Sequence, residues 1–174
     1  MRVIFGMLMF TVLSSQANSD LIAASAEAFI KPTNEESALT GRARFEDSEE
    51  GLQISAQIEN ASPGEHGFHI HQYGSCSDNG KGAGDHYNPE QKPHGLVMKD
   101  GVQSVHAGDF GNIKVGEDGK GSVSLVVPGL AIEGNFAIAG RALIVHEKSD
   151  QFTQPLGDAG GRVGCGAIYI VKTS

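Results

Sequence analysis

Basic residues are scarce in this chain: 13 lysines and arginines stand against 21 aspartates and glutamates in 174 residues, a formal net charge of −8. Nucleic acid needs a basic face to neutralise its phosphates, so it is excluded as a partner. Cysteine is as sparse. Cys76 and Cys165 are the only two, too few for a thiolate-held metal site or a cysteine-rich metal-delivery motif. No apolar run beyond the first residues is long enough to cross a membrane. No segment keeps a capped helical period of 3.6, which excludes a helix bundle.

The one apolar run, Val3 to Leu13, follows Arg2 and is short for a bilayer span. Small residues come directly after it in Ser15-Gln16-Ala17, the pattern of a secretory signal. Residues 1–17 are therefore read as a signal peptide cut after Ala17, with Ala24-Ser25-Ala26 as a second candidate site. Removing them deletes Arg2 alone and makes the net charge one unit more negative. Residues 18–25 read as a flexible lead-in and 26–174 as a single domain. Export places the chain in the periplasm or outside the cell, where an even pair of cysteines forms a disulfide. Retention inside the cell would instead leave two buried thiols.

From Ala38 onward the apolar residues alternate. Leu52, Ile54, Ala56 and Ile58 share one face while Gln53, Ser55, Gln57 and Glu59 share the other. Gly41 to Phe45 repeats the pattern, and Ala26 to Ile30 can start the first strand. Ser122 to Val127, Ala142 to His146 and Gly166 to Val171 read as more fully buried strands. Gly and Pro punctuate throughout, so the expected fold is all-β, a sandwich or flattened barrel. Residues 72–104 and 147–163 show no period. Structureless stretches of that length in a small domain point to function.

What is abundant is histidine, and its placement is ordered. His69 and His71 lie in Gly67-Phe68-His69-Ile70-His71, on one face of a probable strand end. His86, His94, His106 and Asp109 follow in glycine-rich segments, and His146 ends another strand. Six imidazoles and an aspartate exceed the needs of one four-coordinate ion and suit two ions that share a ligand. In a chain without tryptophan and with few aromatics, scattered core or surface histidines are a poor account of the whole set. Neutral imidazoles without thiolate suit copper for His69, His71 and His146. A His₃Asp shell of His86, His94, His106 and Asp109 suits structural zinc. His86 has two ring nitrogens and can bridge the ions. The seventh histidine, His66, reads as a hydrogen-bonded support for the sheet end near His69 and His146.

These residues carry a resemblance to copper/zinc superoxide dismutase that runs from about Ala26 to Lys172. Gly67-Phe68-His69-Ile70-His71-Gln72 is similar to that family's first copper motif. Gly108-Asp109-Phe110-Gly111-Asn112 is similar to its zinc-aspartate motif, and Gly157 to Gly166 to its arginine–cysteine signature. The resemblance implies an immunoglobulin-like Greek-key arrangement of about eight antiparallel strands with two long functional loops. It implies one copper on His69, His71, His86 and His146, and one zinc on His86, His94, His106 and Asp109. Arg162 is then beside the copper as the anion-binding residue, and Cys76 is bridged to Cys165. His86 takes up and delivers a proton, and Asp150 links the rings of His69 and His94. The reaction implied converts two superoxide anions and two protons into oxygen and hydrogen peroxide. An exported copper chaperone or metal-storage module on the same fold is the alternative. Such a module is expected to lack part of the copper set or Arg162, and this chain keeps both.

The match has departures. Cys76 follows His71 by five residues, a spacing closer to exported bacterial members, whereas His86-Tyr87-Asn88-Pro89 is closer to the eukaryotic pattern. The segment from His146 to Arg162 is short and lacks the acidic–lysine cluster of longer members. The steering of superoxide and the choice between monomer and homodimer stay open at this point.

Overall fold

The computed structural model describes residues 24–171. The proposed signal and most of the lead-in lie outside the described residues. Eight antiparallel strands close into one barrel: β1 (Ser25–Pro32), β2 (Thr40–Ser48), β3 (Gly51–Glu59), β4 (Gly64–His71), β5 (Asp109–Val115), β6 (Gly121–Val127), β7 (Ala142–His146) and β8 (Arg162–Val171). Around the barrel the order is β1-β2-β3-β6-β5-β4-β7-β8, so the chain crosses from β3 to β4 and from β6 to β7 in Greek-key fashion. Closure leaves no free sheet edge. The sandwich-or-barrel expectation resolves to a barrel. Among the described residues no helix is long and apolar enough to cross a membrane.

Strand alternation fills the interior as the sequence indicates. Leu52, Ile54, Ala56 and Ile58 of β3 are buried against Ala43 and Phe45 of β2 and Ala26, Ala28 and Ile30 of β1. β4 and β7 differ because both of their faces are covered. Phe68 and Ile70 point into the barrel, which turns His69 and His71 to its outer wall. In β7, Leu143 and Val145 enter the core. Ala142 and Ile144 form a separate cluster with Ala83 and Cys165 under the first long loop. That outer wall, roofed by residues 72–108 and 147–161, is where the histidines collect.

Two strands read as well buried are not so along their length. β6 exposes Ser122 and Ser124 and only half-buries Val123 and Leu125, and β8 is exposed from Tyr169 onward. In β6, Val123 and Leu125 still face the core across from Ala56 and Ile54, while the serines between them face outward. A 3-10 turn (Lys81–Ala83) and one α-helical turn, α1 (Val97–Asp100), interrupt the first loop, and β5 is a strand that alternation in the sequence does not announce.

Candidate metal centre

β4 presents His69 and His71, and β7 presents His146 from the neighbouring strand, with Ile144 paired to His69 and Ala142 to His71. The first loop adds His86 through an isolated bridge between His71 and His86. Gly67 is needed at the turn of this wall: a Cβ there would lie 2.8 Å from that of Ala159 and 3.1 Å from the His69 ring. Four buried side chains, His69, His71, His86 and His146, bring ligand atoms within 4.8 Å of one another. His86, His94, His106 and Asp109 form a second such group. His86 belongs to both. All the ligands expected from the sequence are brought together.

Hydrogen bonds fix which nitrogen of each ring is free. His71 Nδ1–H donates to the Gly84 carbonyl at 2.9 Å, and His146 Nδ1–H to the Gly160 carbonyl at 3.3 Å. Their Nε2 atoms then carry lone pairs, yet lie 3.3 Å apart. Two unprotonated nitrogens at that distance repel unless a cation sits between them. Asp150 sets the other two rings: it accepts from His69 Nε2 and from His94 Nε2, each at 2.9 Å. Their Nδ1 atoms, with that of His106, are buried and make no well-aligned hydrogen bond. A buried polar atom left unpaired is costly, and metal ions on the two groups would satisfy all three. Asp109 receives His86 Nδ1 at 2.7 Å on one oxygen. Its other oxygen faces His94 Nδ1 at 2.6 Å and His106 Nδ1 at 3.2 Å. The donor set fits copper on the all-imidazole side and zinc on the side with a carboxylate.

Residues with no imidazole hold this arrangement, and sequence reasoning passed over them. Asn112 accepts from the Asp150 N–H at 2.6 Å and donates to the Asp150 carbonyl at 3.1 Å, tying the second loop to β5. Gln154 does the same for the His94 backbone. Asn112 closes the zinc-aspartate motif and was visible there as an amide, whereas nothing marks Gln154. Gly157, at φ +77°, must lack a side chain because a Cβ would land on Asp150 Oδ1 and His94 Nε2. His66 is the support expected of it, with Nδ1 2.8 Å from the His146 carbonyl.

Arg162 stands at the start of β8. Its Nη1 donates to the Gly80 carbonyl at 2.5 Å and its Nη2 to Gly84 at 2.6 Å. It lines a cleft of about 390 Å³ together with His71, His86, His146, Leu156 and Asp158. Burial lowers the Arg162 pKa and Asp85 opposes the shift. An arginine stays charged under these conditions. Cys76 and Cys165 form the disulfide, with Cα atoms 5.7 Å apart.

The metal-free chain has a definite pH response. Burial, with the neighbouring histidines, lowers His86 to about 4 and His146 to about 3, and drives His71 well below the ordinary 6.5. Burial also opposes the charged form of His94, but Asp109 and Asp150 outweigh it and raise His94 to about 9. Both aspartates are held below the usual carboxylate range, by the same histidines, against the cost of burial. The three depressed rings contribute stability that is present above about pH 6.5 and lost as pH falls toward their folded values. The His94 contribution is complete below about pH 6.5 and lost as pH rises through about 9. The aspartates contribute above about pH 4 and weaken only in stronger acid. Metal-stripped protein is therefore expected to be most stable near pH 6.5, with the steeper fall on the acid side, where three rings lose their contribution against one on the alkaline side. Urea midpoints at about pH 5, 6.5 and 8.5 check this. A midpoint that rises toward pH 5 contradicts it.

Comparison with known proteins agrees with this chemistry. The family model described as copper/zinc superoxide dismutase matches residues 39–168. The extracellular superoxide dismutase [Cu-Zn] of Brugia pahangi is 35% identical over 142 residues, covering 76% of this chain and 70% of that protein. The superoxide dismutase [Cu-Zn] of Onchocerca volvulus is 35% identical over 149 residues, covering 78% and 92% respectively. Among solved structures, the clock protein EA4 superposes with a TM-score of 0.76 at 34% identity, covering 86% of this chain and 96% of its own. A delivery or storage module is not favoured by these relatives or by a complete double ligand set. The chain belongs to the copper/zinc superoxide dismutase family and, with one copper and one zinc, acts on superoxide.

Proposed function

We propose that copper is held by His69, His71, His86 and His146, that zinc is held by His86, His94, His106 and Asp109, and that Arg162 binds the anion. The observation that carries this assignment is His86. It belongs to both ligand groups, and with Nδ1 turned to Asp109 its Nε2 is left for the all-imidazole side. When bound, copper supplies the one-electron exchange by which two superoxide anions and two protons become oxygen and hydrogen peroxide. The chain's residues do the rest. Arg162 receives the anion on N–H groups not spent on Gly80 and Gly84, a charge-assisted contact. His86 Nε2 is the atom at which a proton is taken up and handed to the reduced product. Asp150 keeps His69 and His94 in the tautomers that face the ions.

Because a chain of net charge −8 repels an anion at long range, attraction has to be local to Arg162 and the bound cations. Arg162→Ala is expected to lower the superoxide rate constant by about 10–100-fold, the worth of a hydrogen bond to a charged group, with both metals retained. Arg162→Lys is expected to recover part of the loss because an ammonium lacks the fork. A wild-type rate in Arg162→Ala would sink the assignment.

We also infer export with cleavage after Ala17, supported by the disulfide and by the extracellular name of a relative. The mass of the secreted protein checks it, and a chain still carrying residues 1–17 contradicts it. Phe29, Tyr73 and Tyr169 are each more than half exposed, on β1, just past β4 and on β8. Exposed aromatics of that size suit a protein contact, and we infer a homodimer through them. Sedimentation of wild type against Tyr169→Glu tests this, and an unchanged monomer in both rejects it.

A further inference from the structure

The β1–β8 ladder ends where Pro32 pairs with Gly164. Val163 and Arg162 of β8 lie beyond the last β1 partner, although Arg162 still pairs with His146 of β7 on the other side. The segment after β1 supplies donors to their carbonyls. Thr33 Oγ1 donates to the Arg162 carbonyl. Val163 O accepts Ser37 Oγ at 2.8 Å and the Thr33 N–H at 3.4 Å. Asn34 folds the segment for this task, its Oδ1 accepting the N–H groups of Glu36 and Ser37, both at 3.0 Å.

Thr33 is also linked to Arg162 through Gly80. Gly80, whose carbonyl takes Arg162 Nη1, packs so closely that a Cβ on it would be 3.1 Å from Thr33 Cγ2 and 3.3 Å from Arg162 Cβ and Cδ. One threonine therefore holds the arginine's backbone by its hydroxyl and packs its methyl against Gly80, the residue whose carbonyl takes the guanidinium. The guanidinium is aimed by two carbonyls, and the base of the side chain is fixed from behind. We propose that Thr33 is a positioning residue for Arg162, with Ser37 as its lesser partner, and that the β1–β2 segment thereby tunes anion binding in the cleft. This rests on the reading of Arg162 as the anion-binding residue.

Thr33→Val keeps the branched shape and deletes the hydroxyl, whereas Thr33→Ser keeps the hydroxyl. The readouts are azide affinity, by optical titration of copper- and zinc-loaded protein, and the superoxide rate, with metal content and unfolding midpoint measured alongside. Thr33→Val is expected to weaken azide binding and slow turnover about fivefold, the worth of one neutral hydrogen bond. Thr33→Ser is expected to retain most of the affinity, and Ser37→Ala to lose less than Thr33→Val. On an Arg162→Ala background the same Thr33→Val change is expected to do nothing further, because its effect passes through the side chain already removed. An equal loss on both backgrounds, or no loss in Thr33→Val while Arg162→Ala is impaired, overturns the role of Thr33 alone. An unimpaired Arg162→Ala overturns the reading of the arginine, and the role of Thr33 with it.

Discussion

Asp109→Ala is expected to bring the zinc content from about one per chain to near zero and to cost the metal-free protein about 3–5 kcal/mol, the usual penalty for removing one partner of a buried charged set. Asp109 is wholly buried and serves four groups. One oxygen takes His86 Nδ1, and the other lies against His94 Nδ1 and His106 Nδ1 while accepting the Gly95 N–H at 3.0 Å. Alanine leaves that N–H without an acceptor and three imidazoles facing a void. It also removes the one anionic residue of the proposed zinc group, whose charge offsets that of a divalent ion. Asp109→Asn should fall between, since an amide oxygen can still accept from Gly95 but brings no charge. Zinc analysis and urea unfolding at neutral pH decide the matter. A variant that keeps about one zinc, or unfolds with the wild-type curve, refutes this account of Asp109.

The ligands could be picked out in the sequence because strand geometry and metal chemistry leave a regular trace. Once Phe68 and Ile70 are core residues, His69 and His71 must share the opposite face. His94, His106 and Asp109 could be grouped by chemistry alone, without knowing how residues 72–108 fold. What the sequence does not carry is the means of holding them. Asn112, Gln154 and Gly157 act through local contacts to Asp150 and His94, and such contacts follow no period. The same holds for the end of β8. Ile170 and Val171 look like core by composition, and Ile170 pairs with the core residue Ala26, yet both are exposed, because cover at a strand end is a property of the whole barrel. β5 is hidden for a related reason: it begins at Asp109, the proposed zinc ligand, and passes through Gly111 at φ +78° before its alternation starts.

Replacing both Cys76 and Cys165 by serine is expected to cost up to about 4–5 kcal/mol, the loop-closure entropy for a bridge between positions 89 apart. A loss of stability alone would make the bridge a staple. The geometry demands more. The bridge pins residues 76–84 to β8, and the small cluster of Ala83, Ala142, Ile144 and Cys165 packs beneath it. From that segment come the carbonyls of Gly80 and Gly84 that aim Arg162, and Gly84 O also holds His71 Nδ1. With the bridge gone, all the metal ligands remain while the groups that orient the anion site lose their anchor. Turnover and azide affinity are therefore expected to fall at full metal content, in the direction of Arg162→Ala. The loss should be partial, because the Thr33 contact to the Arg162 backbone survives. Urea unfolding, metal analysis and the superoxide assay on one preparation of the double variant separate the two effects. A destabilised variant with a wild-type rate would show the bridge to be a staple only. A slowed one means that an oxidising compartment is required for the arginine to be in place, as well as for the fold to last.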